Sequence, residues 1–178
     1  ISIVCEQSKK AIFPDLKTSI QSGLILPTSE LDENLLIQNY KFLHDRVQQA
    51  AYALIAADQK QAVHLKIGRL LLENTAPEMR AEKIFEIVDH LNLGIELIAE
   101  QDARELVAKL NLTAGQKAKA SAAYQAAKEY LNVGLKLLSA DSWQAAYELT
   151  LSLYEEAAEA AYLNGDFEQM EQLATVVQ

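Results

Sequence analysis

Apolar side chains recur along most of this chain at the spacing of amphipathic helices. Ile12, Leu16 and Ile20 mark one helical face near the N-terminus. From His44 onward, apolar stripes continue through successive segments that a few Gly and Pro residues separate. Ala, Leu, Glu, Gln and Lys, which are strong helix formers, dominate this longer part. The pattern predicts an all-α fold built from several helices.

The first 43 residues follow a different pattern. Ser8 is a candidate N-cap, Pro14 predicts a helix that starts near Phe13 or is kinked, and Gly23 predicts its end. Two short strands are then predicted, on either side of a polar loop: Leu24–Pro27, the loop Thr28–Asn39, and Tyr40–Leu43. Helix, strand, loop, strand and helix is the order of the second half of a winged helix-turn-helix. The sequence therefore predicts a small winged-helix-like part at residues 1–56.

An internal repeat follows at an offset of 40 residues. Leu91–Ile98 parallels Leu131–Leu138, and each copy carries a glycine at the same point, Gly94 or Gly134. A glycine inside a helix costs about 1 kcal/mol relative to alanine. We therefore expect each glycine to mark a close helix crossing, although coincidence in a sequence of few residue types is the alternative.

Part of this region resembles a tetratricopeptide repeat. In the segment from Ala114 to Ser139, small and large residues stand at the packing positions of a helix pair: Gly115, Ala127, Leu131 and Gly134. A partial second copy ends in an Asn164-Gly165-Asp166-Phe167 turn. The copies depart from the family pattern, because Ala118 replaces the usual aromatic residue and Ser139 the closing proline. The resemblance implies a superhelical stack of antiparallel helix pairs over residues 57–178. Val176 and Val177 would need an apolar neighbour, so we expect further repeats.

Composition and charge exclude several classes of function. Asp and Glu total 25 against 16 Lys and Arg, a formal net charge of −9, which argues against binding nucleic acid or an anionic membrane. No apolar run approaches the roughly 18 residues that a membrane span needs. Cys5 is the only cysteine, and no secretory signal is visible. We expect a cytoplasmic segment of a longer protein that binds neither nucleic acid nor membrane.

The winged-helix-like order raises a DNA-binding alternative. Residues 1–46 hold five basic side chains against six acidic ones. Phosphate neutralisation needs a clear basic excess, so this alternative ranks low.

No catalytic motif is apparent. The six glycines do not form a phosphate-binding loop, and no nucleophile elbow or zinc-helix pair occurs. His44-Asp45 could be the metal pair of a His-Asp phosphohydrolase, but that site needs further ligands, and His64 and His90 lack acids at ligand spacing. We predict no catalytic residue and no metal site, so the fragment itself is not expected to be an enzyme.

The segment from Tyr40 to Val47 carries a second resemblance. An aromatic strand that leads into His44-Asp45 at a helix start looks like the Met-His-Asp motif of regulatory ATPases of the STAND, AAA-related type, with Leu43 in place of Met. The stretch from Phe42 through Leu70 is similar to large multidomain serine/threonine and histidine kinases of the cyanobacterial type. The resemblance implies that His44 and Asp45 sense ADP bound to an upstream ATPase module. Simple capping of the helix is the alternative reading of both residues.

These features together predict a non-catalytic connector. The chain is expected to couple the nucleotide state of an upstream ATPase module to downstream sensor or kinase modules, with ATP or ADP bound only in that module. Its partners would be other domains of the same polypeptide, or a protein or peptide on the concave helical face. A stand-alone tetratricopeptide-like adaptor that binds a peptide is the alternative.

Overall fold

The computed structural model describes residues 9–28 and 40–177 and is mostly helical. One antiparallel sheet of two strands, β1 (Ile25–Pro27) and β2 (Tyr40–Phe42), lies among these residues. A short 3-10 helix spans Ile95–Leu97. In chain order the α-helices are α1 (Lys9–Gln21), α2 (Asp45–Ala53), α3 (Lys60–Asn74), α4 (Pro77–Arg80), α5 (Ile84–Leu93), α6 (Gln101–Ala120), α7 (Tyr124–Leu137), α8 (Ser142–Ala145), α9 (Tyr147–Leu163) and α10 (Phe167–Val177).

Contacts divide the chain into two compact units between Ala62 and Val63, inside α3. This division lies six residues beyond the predicted boundary between 1–56 and 57–178. The assignment of residues 1–56 to an ATPase module stays a prediction. The candidate cap Ser8 and most of the predicted loop Thr28–Asn39 lie outside the described residues.

The N-terminal unit contains α1, β1, β2 and α2. Helix α1 continues through Pro14 rather than starting at Phe13. It ends at Gly23 as predicted, because Gly23 has a φ of +67° and the Leu24 N–H donates to the Ser19 carbonyl. Ile25 then pairs with Phe42 across the two strands. The predicted order of elements is present, whereas membership of the winged-helix class stays a prediction.

The core of the C-terminal unit runs through α5, α6, α7 and α9. Ile87, Leu131 and Leu153 are fully buried there. Helix α7 packs along α6, and α9 packs against both α6 and α7, so successive helices bury one another's apolar faces. The coarse prediction of a helical fold is confirmed.

Two glycines in this unit allow helices to approach closely. A Cβ atom added at Gly115 would lie 2.5 Å from Leu131 Cγ, and one added at Gly134 would lie 2.6 Å from Leu153 Cδ2. The predicted close crossing at Gly134 is therefore present. The parallel role of Gly94 was predicted wrongly, because α5 ends at Leu93 and Gly94 is its C-cap.

A structural repeat is present in the turns that follow α6 and α9. The Ala123 N–H donates to Ala118 O after α6, and the Asp166 N–H donates to Ala161 O after α9, each at 2.9 Å. The residue before each of these donors has a positive φ, +57° at Ala122 and +79° at Gly165. The two hairpins α6–α7 and α9–α10 thus share one turn geometry.

Candidate functional site

His44 and Asp45 lie at the start of α2, on the surface. His44 has the extended backbone of an N-cap residue (φ −139°, ψ 144°), and its carbonyl accepts the Val47 N–H at 2.9 Å. The His44 side chain makes no capping hydrogen bond. Asp45 is in the first turn, where a carboxylate suits the positive end of the helix dipole. Asp45 is thus placed to stabilise the helix start through its charge, whereas the His44 side chain does not cap the helix.

The surroundings of this helix start are apolar and open. Helix α2 buries none of its residues, and Phe42, Ala51, Tyr52 and Ile55 line a shallow hollow beside it. The Lys60 ammonium lies 4.4 Å from the centre of the Tyr52 ring. Phe42 and Tyr52 are each about 40% exposed.

No metal centre accompanies the histidines. Within residues 9–28 and 40–177, no group of three or more His, Cys, Asp or Glu side chains could hold a metal ion. His64 and His90 instead contact each other, with 2.8 Å between their Nδ1 atoms. This pairing was not predicted, because the two residues are 26 positions apart along the chain and meet only where α3 contacts α5.

A line of aromatic side chains follows one side of α9, and we call Trp143, Tyr147, Tyr154, Tyr162 and Phe167 the aromatic stripe. Tyr147, Tyr154 and Tyr162 recur at helical spacing, with Leu151 and Ala158 between them. The Trp143 ring stacks on Tyr154 with 5.4 Å between centroids, and the Phe167 ring meets Tyr162 edge-on at 5.8 Å. Tyr147, Tyr162 and Phe167 are each more than half exposed.

The segment that carries the aromatic stripe has only acidic charged residues. Residues 137–178 contain eight Asp or Glu and no Lys, Arg or His. Lys119 of α6 pairs with Glu156 and Glu159, and Lys128 of α7 pairs with Asp166. The other five acids are exposed: Asp141, Glu148, Glu155, Glu168 and Glu171. The surface beside the stripe therefore favours a positively charged partner.

Polar side chains hold the remaining helices in register. Asn111 is fully buried, and its amide exchanges two hydrogen bonds of 2.9 Å with that of Asn92. The Tyr130 hydroxyl donates to Asp89 Oδ1 at 2.7 Å. Partial burial, and then the hydrogen bond and charge of Asp89, raise the pKa of Tyr130 well above its usual range. Such bonds fix geometry and offer no reactive group.

Comparison with known proteins gives one partial similarity. Over 96 residues the chain is 36% identical to "Hybrid signal transduction histidine kinase G" of Dictyostelium discoideum. The match covers 46% of this chain and 3% of that protein, so the chain corresponds to a small part of its relative. No protein-family model matches the chain. No solved structure matches it either.

The predicted similarity to a signal-transduction histidine kinase is thus present over part of the chain. The tetratricopeptide and ATPase resemblances receive no such support and stay predictions. Among the helices of the described part, none is long and apolar enough to cross a membrane.

Proposed function

We propose that this chain is a non-catalytic connector and protein-interaction segment of a large signal-transduction kinase. The observation that carries this proposal is the 36% identity of 96 residues of the chain to part of a hybrid histidine kinase. The packed helix pairs of the C-terminal unit support it. A stack of helices transmits displacement well, because its packed side chains resist compression. The described residues offer recognition surfaces and no constellation of catalytic groups.

The aromatic stripe is the docking surface in this proposal. Its occupant is a basic surface of another module of the same polypeptide. Tyr and Trp are the residues that most often dominate protein interfaces, and Lys or Arg can lie over their ring faces. The five exposed acids beside the stripe supply the complementary charge.

The second part of the proposal concerns His44 and Asp45. An exposed imidazole without a capping bond, at the start of α2, is free to approach a ligand held by an upstream ATPase module. The resemblance to ATPase regulatory motifs assigns that ligand as ADP. Engagement of His44 would then depend on nucleotide state, and the helices that follow would pass the change in orientation to downstream modules.

A stand-alone adaptor is the other candidate function. The same exposed aromatic surface would then bind a peptide from a separate protein. The two functions differ in the source of the partner, so measured binding to modules of the same polypeptide separates them.

Isothermal titration calorimetry between this chain and each neighbouring module tests the docking surface. We expect one module to bind, more weakly as salt rises. The double variant Tyr147→Ser with Tyr162→Ser should lose about tenfold or more in affinity, since central tyrosines often contribute over 1 kcal/mol each. Leu106→Ser is the matched control, because Leu106 is similarly exposed at 46% but lies on α6. Absence of binding to every module would refute the connector role.

ADP retention tests the role of His44. In the intact polypeptide with its upstream ATPase module, His44→Leu should speed ADP release. Gln48→Leu is a control on an exposed position of the same helix. Unchanged ADP release in His44→Leu would count against nucleotide sensing while leaving the docking surface untouched.

A further inference from the structure

The His64–His90 pair joins α3 to α5 through a direct contact of two titratable rings. The Nδ1 atoms are 2.8 Å apart, and the ring centroids are 5.0 Å apart with 30° between the ring planes. A nitrogen–nitrogen distance of this size is that of an N–H···N hydrogen bond. One ring must therefore donate a proton, and the other must present an unprotonated nitrogen.

This requirement limits the protonation states that the contact tolerates. Two neutral rings can form the bond, and so can one neutral ring with one imidazolium. Two imidazolium rings cannot, because both Nδ1 atoms would carry hydrogens and both rings would be positive. Double protonation consequently needs the two rings to move apart.

The charged groups around His90 do not remove the repulsion between two protonated rings. Partial burial, and then the charge of His64, lower the pKa of His90, while Glu86 and Asp89 of α5 act in the opposite direction. Asp89 also accepts the hydrogen bond of Tyr130 from α7. The net effect favours the neutral ring in the folded protein.

The pair lies on α3 beside a second close contact with α5. One turn further along, a Cβ added at Gly68 would lie 2.8 Å from Leu91 Cγ, so α3 and α5 are in close contact there as well. The division between the two compact units falls inside α3, at Ala62 and Val63. Helix α3 is thus the element that carries the chain from one unit into the next.

We propose that the His64–His90 pair is a pH-sensitive latch, which holds α3 against α5 near neutral pH and releases it on acidification. The direction of this pH dependence follows from the linkage between proton binding and the docking of α3. Because the neutral form of His90 is favoured when α3 is docked, the undocked state binds more protons below pH 6.5. Docking is therefore complete above that pH and is lost as the pH falls towards the lowered pKa of His90. This inference stands independently of the connector function.

Hydrogen exchange of the α3 amides, corrected for intrinsic rates, tests the latch on the whole chain. Between pH 7.5 and 5.5 we expect protection of α3 to fall about tenfold, which is the effect of one ordinary imidazole that binds its proton only in the undocked state. Protection of α9, which holds no histidine, should not change in the same way. In His90→Gln, whose amide can bond His64 without titrating, the fall should be at most about threefold. Equal falls in the two proteins would overturn the proposal.

A titration of the unmodified protein by NMR gives a second test that needs no variant. The His90 imidazole should titrate below its ordinary pKa of 6.5, because partial burial and then the charge of His64 disfavour its protonated form. A His90 titration at or above 6.5 would overturn the latch.

Discussion

The contact between Gly115 and Leu131 gives the sharpest prediction for the helix pairs. A Cβ added at Gly115 would meet Leu131 Cγ at 2.5 Å, Cδ2 at 2.8 Å and Cδ1 at 3.0 Å. Carbon atoms normally pack at about 3.5–4.0 Å. Leu131 is fully buried and cannot swing into solvent. Gly115→Ala therefore requires α6 and α7 to separate or Leu131 to leave its rotamer.

Two opposing free-energy changes decide the result. Overpacking costs about 1–3 kcal/mol, and three close contacts with a branched, buried side chain place this site in the upper part of that range. Alanine gains about 1 kcal/mol of helix propensity over glycine. We expect a net loss of about 1–2 kcal/mol in the free energy of unfolding, or roughly 2–8 °C in Tm for a chain of this size.

A double-mutant cycle read by urea denaturation isolates the contact. Leu131→Ala alone should cost about 2–5 kcal/mol. In that background Gly115→Ala should stabilise by about 1 kcal/mol, since the obstructing side chain is gone and helix propensity remains. The sign of the Gly115→Ala effect thus reverses between the two backgrounds. Stabilisation by Gly115→Ala in the unmodified chain would refute the close packing of α6 on α7.

Three further predictions concern turns and buried bonds. Ala122→Gly should stabilise the chain by about 0.5–1 kcal/mol, and Gly165→Ala should destabilise it by a similar amount, because both sites have a positive φ that glycine adopts without strain. Thermal unfolding measures both effects, and effects of the same sign would contradict the shared turn geometry. Asn111→Ala should cost about 1–3 kcal/mol in urea denaturation, since it leaves the Asn92 amide without its reciprocal partner; a loss below about 0.5 kcal/mol would contradict this. The raised pKa of Tyr130 means that the Tyr130 hydroxyl keeps its proton above pH 10 in the folded state, so the free energy of unfolding should fall as the pH rises beyond 10. Tyr130→Phe should remove part of that pH dependence. An unchanged pH profile in this variant would count against the prediction.

The features that the sequence predicted well are local. Helix periodicity identified most helices, Gly23 marked the end of α1, and the two short apolar runs became β1 and β2. Each depends on residues that are close along the chain, where backbone preferences and side-chain spacing act directly. Of the two alternatives for Pro14, a helix start near Phe13 was wrong, because α1 begins at Lys9 and includes Pro14.

The features that the sequence did not reveal depend on tertiary packing. Gly94 and Gly134 occupy equal positions in similar sequences, yet Gly94 caps α5 while Gly134 lies within α7. Whether each glycine ends its helix or lies within it depends on the path that the chain takes after the glycine. Likewise, the His64–His90 contact joins two different helices. Neither residue has a nearby sequence signal for the other.

The residues of the candidate site also fall into those that the sequence predicted and those that it did not. His44 and Asp45 were found from a short motif, and the structure puts them at the predicted helix start. The aromatic stripe could not be assigned to the surface from the sequence, because periodicity alone does not separate a core face from an exposed one. Solvent exposure of Tyr147, Tyr162 and Phe167 distinguishes them from buried neighbours such as Leu149 and Leu153.

Photo-cross-linking in the intact polypeptide tests the proposed connector most directly. A photoreactive phenylalanine derivative would replace Tyr147 in one protein and Leu106 in another, and mass spectrometry would locate the cross-linked residues. The proposed docking predicts cross-links from position 147 to a Lys- and Arg-rich surface of another module, weakened at high salt, with few or none from position 106. Equal cross-linking from the two positions, or none from position 147 to any other module, would contradict the account.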